Sequence, residues 1–300
     1  FTITLDDIKQ NLSTILSDLD EPVANPTAVS QWFLSKWVRE AGVVVALGGD
    51  GGDELFGGYT RHRAMMAADY YQRLPKFMQK FGGLFHRRAR KLMKPVGIDL
   101  HVELMAEKSE TIADILYSPF DPQVVAERFF SSYYEQAPVG MHSLEQFMRV
   151  DRRTWLVEES LARSDRSSMT HGLELRVPLL DIDLVRLSDT ISPYRKTTPW
   201  TGKKILRELY RSHLPEYLYN QPKRGWISPG AKWLRVPEIQ SMVCDVCTPG
   251  HFSELDTVIN WDAIHDMLDR HVSKGGYYLQ PLWNLLALQF FLANVSKTKL

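Results

Sequence analysis

Apolar positions recur along most of this chain every three or four residues, the helical period. Leu5, Ile8, Leu12, Ile15, Leu16 and Leu19 mark one amphipathic helix, with Thr4 or Asp6 as its cap. Pro22 and Pro26 end it, and a second helix runs from about Thr27 to Ala41, where Gly42 stops it. The period then changes. Val43-Val44-Val45-Ala46-Leu47 is a short run of β-branched and small residues bounded by glycine, which predicts a strand buried on both faces, as in a parallel sheet. From Arg61 to about Val150 the pattern is again helical, divided by Pro75, Gly82-Gly83, Pro95 and Pro138. A strong helical pattern covers 144–171. Glu174-Leu175-Arg176 then reads as extended, and Pro178 keeps the chain from returning to helix. Further helices open near Thr201 and Ile239, and an apolar terminal helix from Leu282 to Val295 belongs to the core.

Chemistry concentrates where the valine run ends. Gly48-Gly49-Asp50-Gly51-Gly52-Asp53-Glu54 places three carboxylates in five residues at a strand's carboxyl end. In open α/β sheets that end is where ligands bind, and glycine lets backbone approach them closely. Carboxylates this close imply a cation, or a proton to be moved, among them. A flexible surface turn is the plainer alternative. Glu174 and Arg176 share one side of an extended segment and are either a structural ion pair or a grip on a carboxylate or phosphate. Lys223-Arg224-Gly225 is a basic loop suited to an anion.

The bulk numbers exclude more than they suggest. The 300 residues carry 36 basic and 36 acidic side chains, so charge offers no argument for a nucleic-acid or membrane-surface partner. The basic run His86 to Lys91 is read first as a solvated helix face and only second as an RNA or phosphate patch. Two cysteines build no disulfide framework, which fits the reducing cytoplasm. Cys244 and Cys247 have CxxC spacing but no second pair, so zinc is not expected. The nine histidines show no metal-binding spacing, His171 included, and no serine lies in a GxSxG elbow.

Three segments, LGGDGGDELFGGY, DRSSMTHGLELRVPLLD and KKILREL followed by NQPKRGW, resemble in their order the carboxyl-terminal synthetase domain of the glutamine-dependent asparagine synthetases. The resemblance runs from about Phe1 to Pro229. It implies an α/β fold of the adenine-nucleotide α-hydrolase type, helix-dominated, with two or three parallel strands here. It implies an ATP-pyrophosphatase reaction with Mg2+: ATP adenylylates a side-chain carboxylate, aspartate first among them, and ammonia from a glutaminase domain attacks. By similarity Gly48 and Gly49 line the AMP site, Asp50 is tied to the intermediate, and Asp53 is the magnesium-side acid. Lys223 faces the pyrophosphate, with Glu174 and Arg176 on the same cleft. Gly48 stands where the family commonly has serine, and Asp50 where it has glutamate, which removes a hydroxyl and a methylene. The related β-lactam synthetases leave the acceptor open, and a homodimer is compatible with the family.

The family's SGGxDS pyrophosphate loop and its amino-terminal glutaminase domain do not occur in these residues. The expectation is a partial synthetase domain over 1–300 that begins after the phosphate loop. The competing expectations are a non-catalytic or split-subunit relative that binds a partner supplying that loop, and, further off, a basic helical nucleic-acid binder. Incubated with ATP, magnesium, aspartate and ammonia, these 300 residues alone are expected to release no pyrophosphate; robust release refutes the expectation.

Overall fold

The computed structural model describes residues 1–79, 91–106, 109–118, 120–219 and 225–298. The basic run from His86 to Arg90 and the anion-binding candidate Lys223 lie outside them.

Helix α1 (Leu5–Asp18) starts at Thr4, whose hydroxyl accepts from the Asp7 amide while Asp7 bonds back to the Thr4 amide. This reciprocal box satisfies two otherwise orphaned donors, and it settles the cap on Thr4. Helix α2 (Thr27–Glu40) ends before Gly42, whose φ of +87° suits glycine. After the loop come β1 (Val45–Leu47), α3 (Gly52–Phe56), α4 (Thr60–Gln72), α5 (Ile98–Met105), α6 (Pro122–Glu135) and α7 (Ser143–Arg153). A π-helix (Trp155–Leu161), α8 (Ala162–Met169), β2 (Glu174–Arg176), α9 (Ile182–Thr190) and α10 (Lys204–Leu209) come next. The chain closes with α11 (Pro237–Val246), α12 (Trp261–Val272) and α13 (Leu279–Thr298), with short helical turns between these elements.

The sheet of the described residues has two parallel strands, with Ala46 opposite Leu175. Burial of the valine run on both faces is corrected by the structure. Val43, Val44, Val45 and Leu47 are exposed, Leu47 at 74%. Composition records that a segment is apolar, but what covers it must come from elsewhere, and neither main core includes these residues. One core joins α1, α2, α11, α12 and α13 around the fully buried Trp283. A second packs Met65 and Met66 of α4 and Leu100 of α5 against Leu144, Phe147 and Met148 of α7. The terminal helix is core, as expected, although it extends over Leu279–Thr298. The long pattern over 144–171 is three consecutive segments rather than one helix, because Thr154 leaves the α region (φ −123°, ψ −84°) and the next turns wind as π.

A charged cluster sits inside the second core. Asp151, His62 and His101 are each fully buried. Asp151 Oδ2 lies 2.7 Å from His62 Nε2 and accepts from Arg61 Nε at 2.9 Å. Burial would raise the Asp151 carboxyl, but the His62 hydrogen bond and charge, and then Arg61, hold it below the usual carboxylate range. The His101 ring stacks between Phe130 and Phe147, with centroids 4.2 and 3.9 Å away. Burial there lowers it to about 4.

That shift fixes a sign. Between pH 6.5 and about 4 the unfolded chain takes up a proton at His101 that the folded chain refuses, so stability falls as pH drops through this window. The loss is on the order of 3 kcal/mol from this group. His171 and His271, also lowered by burial, act in the same direction. Urea denaturation at pH 7 and pH 4.5 should therefore show a marked acid loss that His101→Phe reduces; an unchanged difference contradicts the assignment.

Candidate active site

The glycine–acid segment leaves β1 at its carboxyl end. The Gly48 amide continues the ladder by donating to the Arg176 carbonyl at 2.7 Å, so the turn starts from a fixed point. Gly51 then adopts φ +88° and caps α3; a Cβ there would meet Leu180 at 2.2 Å. The turn is thus held between the ladder and the Pro178–Leu180 segment, and is not a loose surface loop.

Gly48, Gly49, Asp50 and Asp53 share the wall of one cavity of about 790 Å³. Its other sides come from α2 (Gln31, Ser35), the π-helix (Trp155, Glu159, Ser160), α8 (Arg163, Ser164, Ser168) and the stretch Gly225–Ile227 leading away from the basic loop. Gly49 is open: a Cβ there would find nothing within 4 Å, so backbone is presented to the cavity with room before it. Asp50 Oδ1 accepts from Ser160 Oγ at 2.7 Å, a contact across 110 positions that aims the carboxylate. Asp53 is half-buried and lies 3.2 Å from Lys203 Nζ. Gly58 makes room for that pair, since a Cβ at Gly58 would lie 1.8 Å from Asp53 Oδ1 and 2.4 Å from Lys203 Cε. Lys203 itself holds a left-handed conformation (φ 52°), costly for a side-chain residue and tied down by its amide bonding the Phe56 carbonyl.

Four carboxylates, Asp50, Asp53, Glu54 and Glu159, line the cavity among the described residues, against one guanidinium, Arg163. Glu159 is neutralised by Arg163 at 2.7 Å and also accepts from Asn25. Arg163 donates in turn to Gln31. Burial raises the Glu54 carboxyl, opposed by the Tyr59 hydroxyl that donates to it at 2.5 Å. Burial and the Glu54 charge push the Tyr59 phenol well above its ordinary value, so it stays a donor.

The structure does not bring Glu174 and Arg176 onto this wall. They pair with each other at 2.7 Å, both more than half exposed, while Leu175 between them lines the cavity. Alternation along a strand explains the correction: if residue 175 faces the cleft, 174 and 176 face away. Of the two readings of these residues, the structural ion pair is the arrangement observed. Lys223 lies outside the described residues. Sequence reasoning missed Ser160, Lys203, Tyr59 and Trp155. Tyr59 ends the FGGY of the same motif and carried a signal of proximity; Ser160 reaches the cavity, and Lys203 the Asp53 on its wall, only through the fold. Among the described residues no group of three or more His, Cys, Asp or Glu is arranged to hold a metal. Cys244 is exposed and Cys247 buried, both as free thiols, and burial pushes Cys247 up to about 12. No helix among the described residues is long and apolar enough to cross a membrane.

Comparison with known proteins supplies the family. A sequence model described as "Asparagine synthase" matches residues 1–293. "Asparagine synthetase [glutamine-hydrolyzing] 1" of Bacillus subtilis is 26% identical over 307 residues, covering 98% of this chain and 47% of that protein. A putative asparagine synthetase of Mycobacterium tuberculosis is 28% identical over 300 residues, 95% of this chain and 44% of the relative. "Amidase chry2" of Gibberella zeae is 21% identical over 282 residues, 84% of this chain and 42% of the relative. The chain spans about half the length of these relatives. With a helix-rich fold, a small parallel sheet and a family match over nearly its whole length, the chain belongs to the asparagine synthase family.

Proposed function

We propose that residues 1–300 are part of an adenine-nucleotide α-hydrolase-like synthetase domain, and that the cavity at the end of β1 activates a side-chain carboxylate with ATP for attack by ammonia. Aspartate is the first acceptor to test, given the names of the relatives. The observation that carries the proposal is the open Gly49 backbone beside Asp50 and Asp53 at a strand's carboxyl end. Backbone without Cβ can lie against a nucleotide, and the cavity volume suits a ligand of that size. Asp50, aimed by Ser160, orients the reacting carboxylate's adduct or the incoming amine. Lys203, 3.2 Å from Asp53, holds that carboxylate in place. Lys223 is assigned to the pyrophosphate side, supported by Gly225, Trp226 and Ile227 lining the same cavity just beyond it.

Magnesium is usually held by one or two carboxylates, with nucleotide phosphates and water completing its shell. Asp53 and Asp50 fit that donor set, being two acids on one turn at the cavity wall. When bound, the ion neutralises charge on the leaving pyrophosphate. Everything else falls to the chain: the acids and glycines position the nucleotide, and cations balance the charge that develops.

A second reading has its own support. The exposed Val43, Val44, Val45 and Leu47, leading into and along β1, form an apolar strip that another chain or domain can cover, as a split-subunit relative requires. The one-methylene difference at Asp50 keeps a β-lactam-synthetase-like acceptor open.

Calorimetric titration with AMP and with Mg-ATP tests the first reading. Gly49→Ala adds a Cβ with nothing within 4 Å of it, so its denaturation midpoint should stay near that of the parent while nucleotide affinity falls by about tenfold or more. A parent protein that binds no nucleotide, or a variant that binds equally well, overturns the assignment.

A further inference from the structure

Behind the cavity wall lies an arginine that does not line the cavity yet reaches two segments that do, and ties them to the end of α7. Arg61 Nε donates to Asp151 Oδ2 at 2.9 Å in the last turn of α7. The guanidinium carbon sits 5.0 Å from the Trp155 ring centroid, at the first residue of the π-helix. The same carbon lies 3.8 Å over the Tyr59 ring. Arg61 therefore holds both sides of the junction at Thr154, where α winding gives way to π. The rings it stacks on are joined in turn: Trp155 Nε1 donates to the Tyr59 hydroxyl at 3.3 Å, and that hydroxyl donates to Glu54. Tyr59, Trp155 and Glu54 line the cavity; Arg61 and Asp151 do not.

The junction sets the direction of every side chain in the turns beyond it. A π segment carries extra winding that an α-helix lacks, and relaxing it by one residue would turn the downstream side chains by about 100°. Those side chains include Glu159 and Ser160, and Ser160 is what aims Asp50. We propose that Arg61 is a positioning residue, which locks the π-helix register so that Ser160 faces Asp50 across the cavity. The proposal rests on the cavity being the ligand site, but its geometry is independent of which ligand binds. The plain alternative is that Arg61 merely neutralises the buried Asp151, alongside His62 at 2.7 Å.

Arg61→Lys separates the two. Lysine keeps a positive charge for Asp151 but lacks the planar fork that bonds and stacks at once. Hydrogen exchange read by mass spectrometry on the purified protein is the primary measurement, with AMP affinity beside it. In Arg61→Lys, amides of 155–161 and 48–54 should exchange about tenfold faster, while those of α1 and α13 stay as in the parent. AMP affinity should fall by a similar factor. Unchanged exchange at 155–161 overturns the proposal, and so does an equal rise in α1 and α13, which is the mark of a global structural role. If the parent binds no AMP, the nucleotide reading fails and the exchange pattern still decides the positioning role. Should Arg61→Lys not fold, Trp155→Phe leaves the Arg61–Asp151 pair intact and removes the indole donor. The same local acceleration supports the proposal there, and its absence overturns it.

Discussion

A charge that water cannot reach organises this molecule. Asp151 is fully buried between α4, α5 and α7, and an unpaired carboxylate there would cost several kcal/mol. It is held by Arg61 and His62 from the start of α4, with His101 of α5 at 3.6 Å. Breaking such a buried pair by removing one partner typically costs about 3–5 kcal/mol. The demand for partners draws the first turn of α4 against the end of α7, and α4 follows the glycine–acid turn through the short helix α3 and Gly57-Gly58-Tyr59. The cavity wall is therefore attached at its back to a buried ion pair.

Two further ties complete the frame. The three-residue parallel pairing of β1 with β2 starts the turn at a fixed height. The Asp50–Ser160 hydrogen bond then spans the cavity from the turn to the π-helix. None of these contacts is strong alone, since a single hydrogen bond is worth about 1 kcal/mol net. Together they place several polar groups around one hollow, with Gly49 left bare where a ligand's approach needs no side chain. The strained φ of Lys203 fits the same picture: a backbone conformation disfavoured by sterics is retained where it sets a cation against Asp53.

Local features are legible in the sequence because their causes are local. The Thr4 cap, the helix over Leu5–Asp18, the stop at Gly42 and the extended Glu174–Arg176 all follow from spacing and residue type. The placement of Asp50 and Asp53 at a strand's end follows from the VVVALGGDGGDE pattern. The π-helix is not legible, because Trp155–Leu161 keeps an apolar spacing that a plain helix would also show. The Arg61–Asp151 pair, 90 positions apart, leaves no trace in either neighbourhood. Burial of Val43–Leu47 is misjudged from sequence because apolar composition states a need for cover and not its presence. The outward aim of Glu174 and Arg176 depends on which face Leu175 takes, and only the packing decides that.

We propose that an adenine nucleotide lies against Gly48–Asp53, between that turn and the π-helix. Photolabelling with 8-azido-ATP in the presence of magnesium, followed by peptide mapping, tests it most directly. Label should appear on peptides from 46–59, 155–168 or 225–227 and be suppressed by excess AMP. Suppressible label confined to peptides away from this cavity, or no suppressible label, contradicts it.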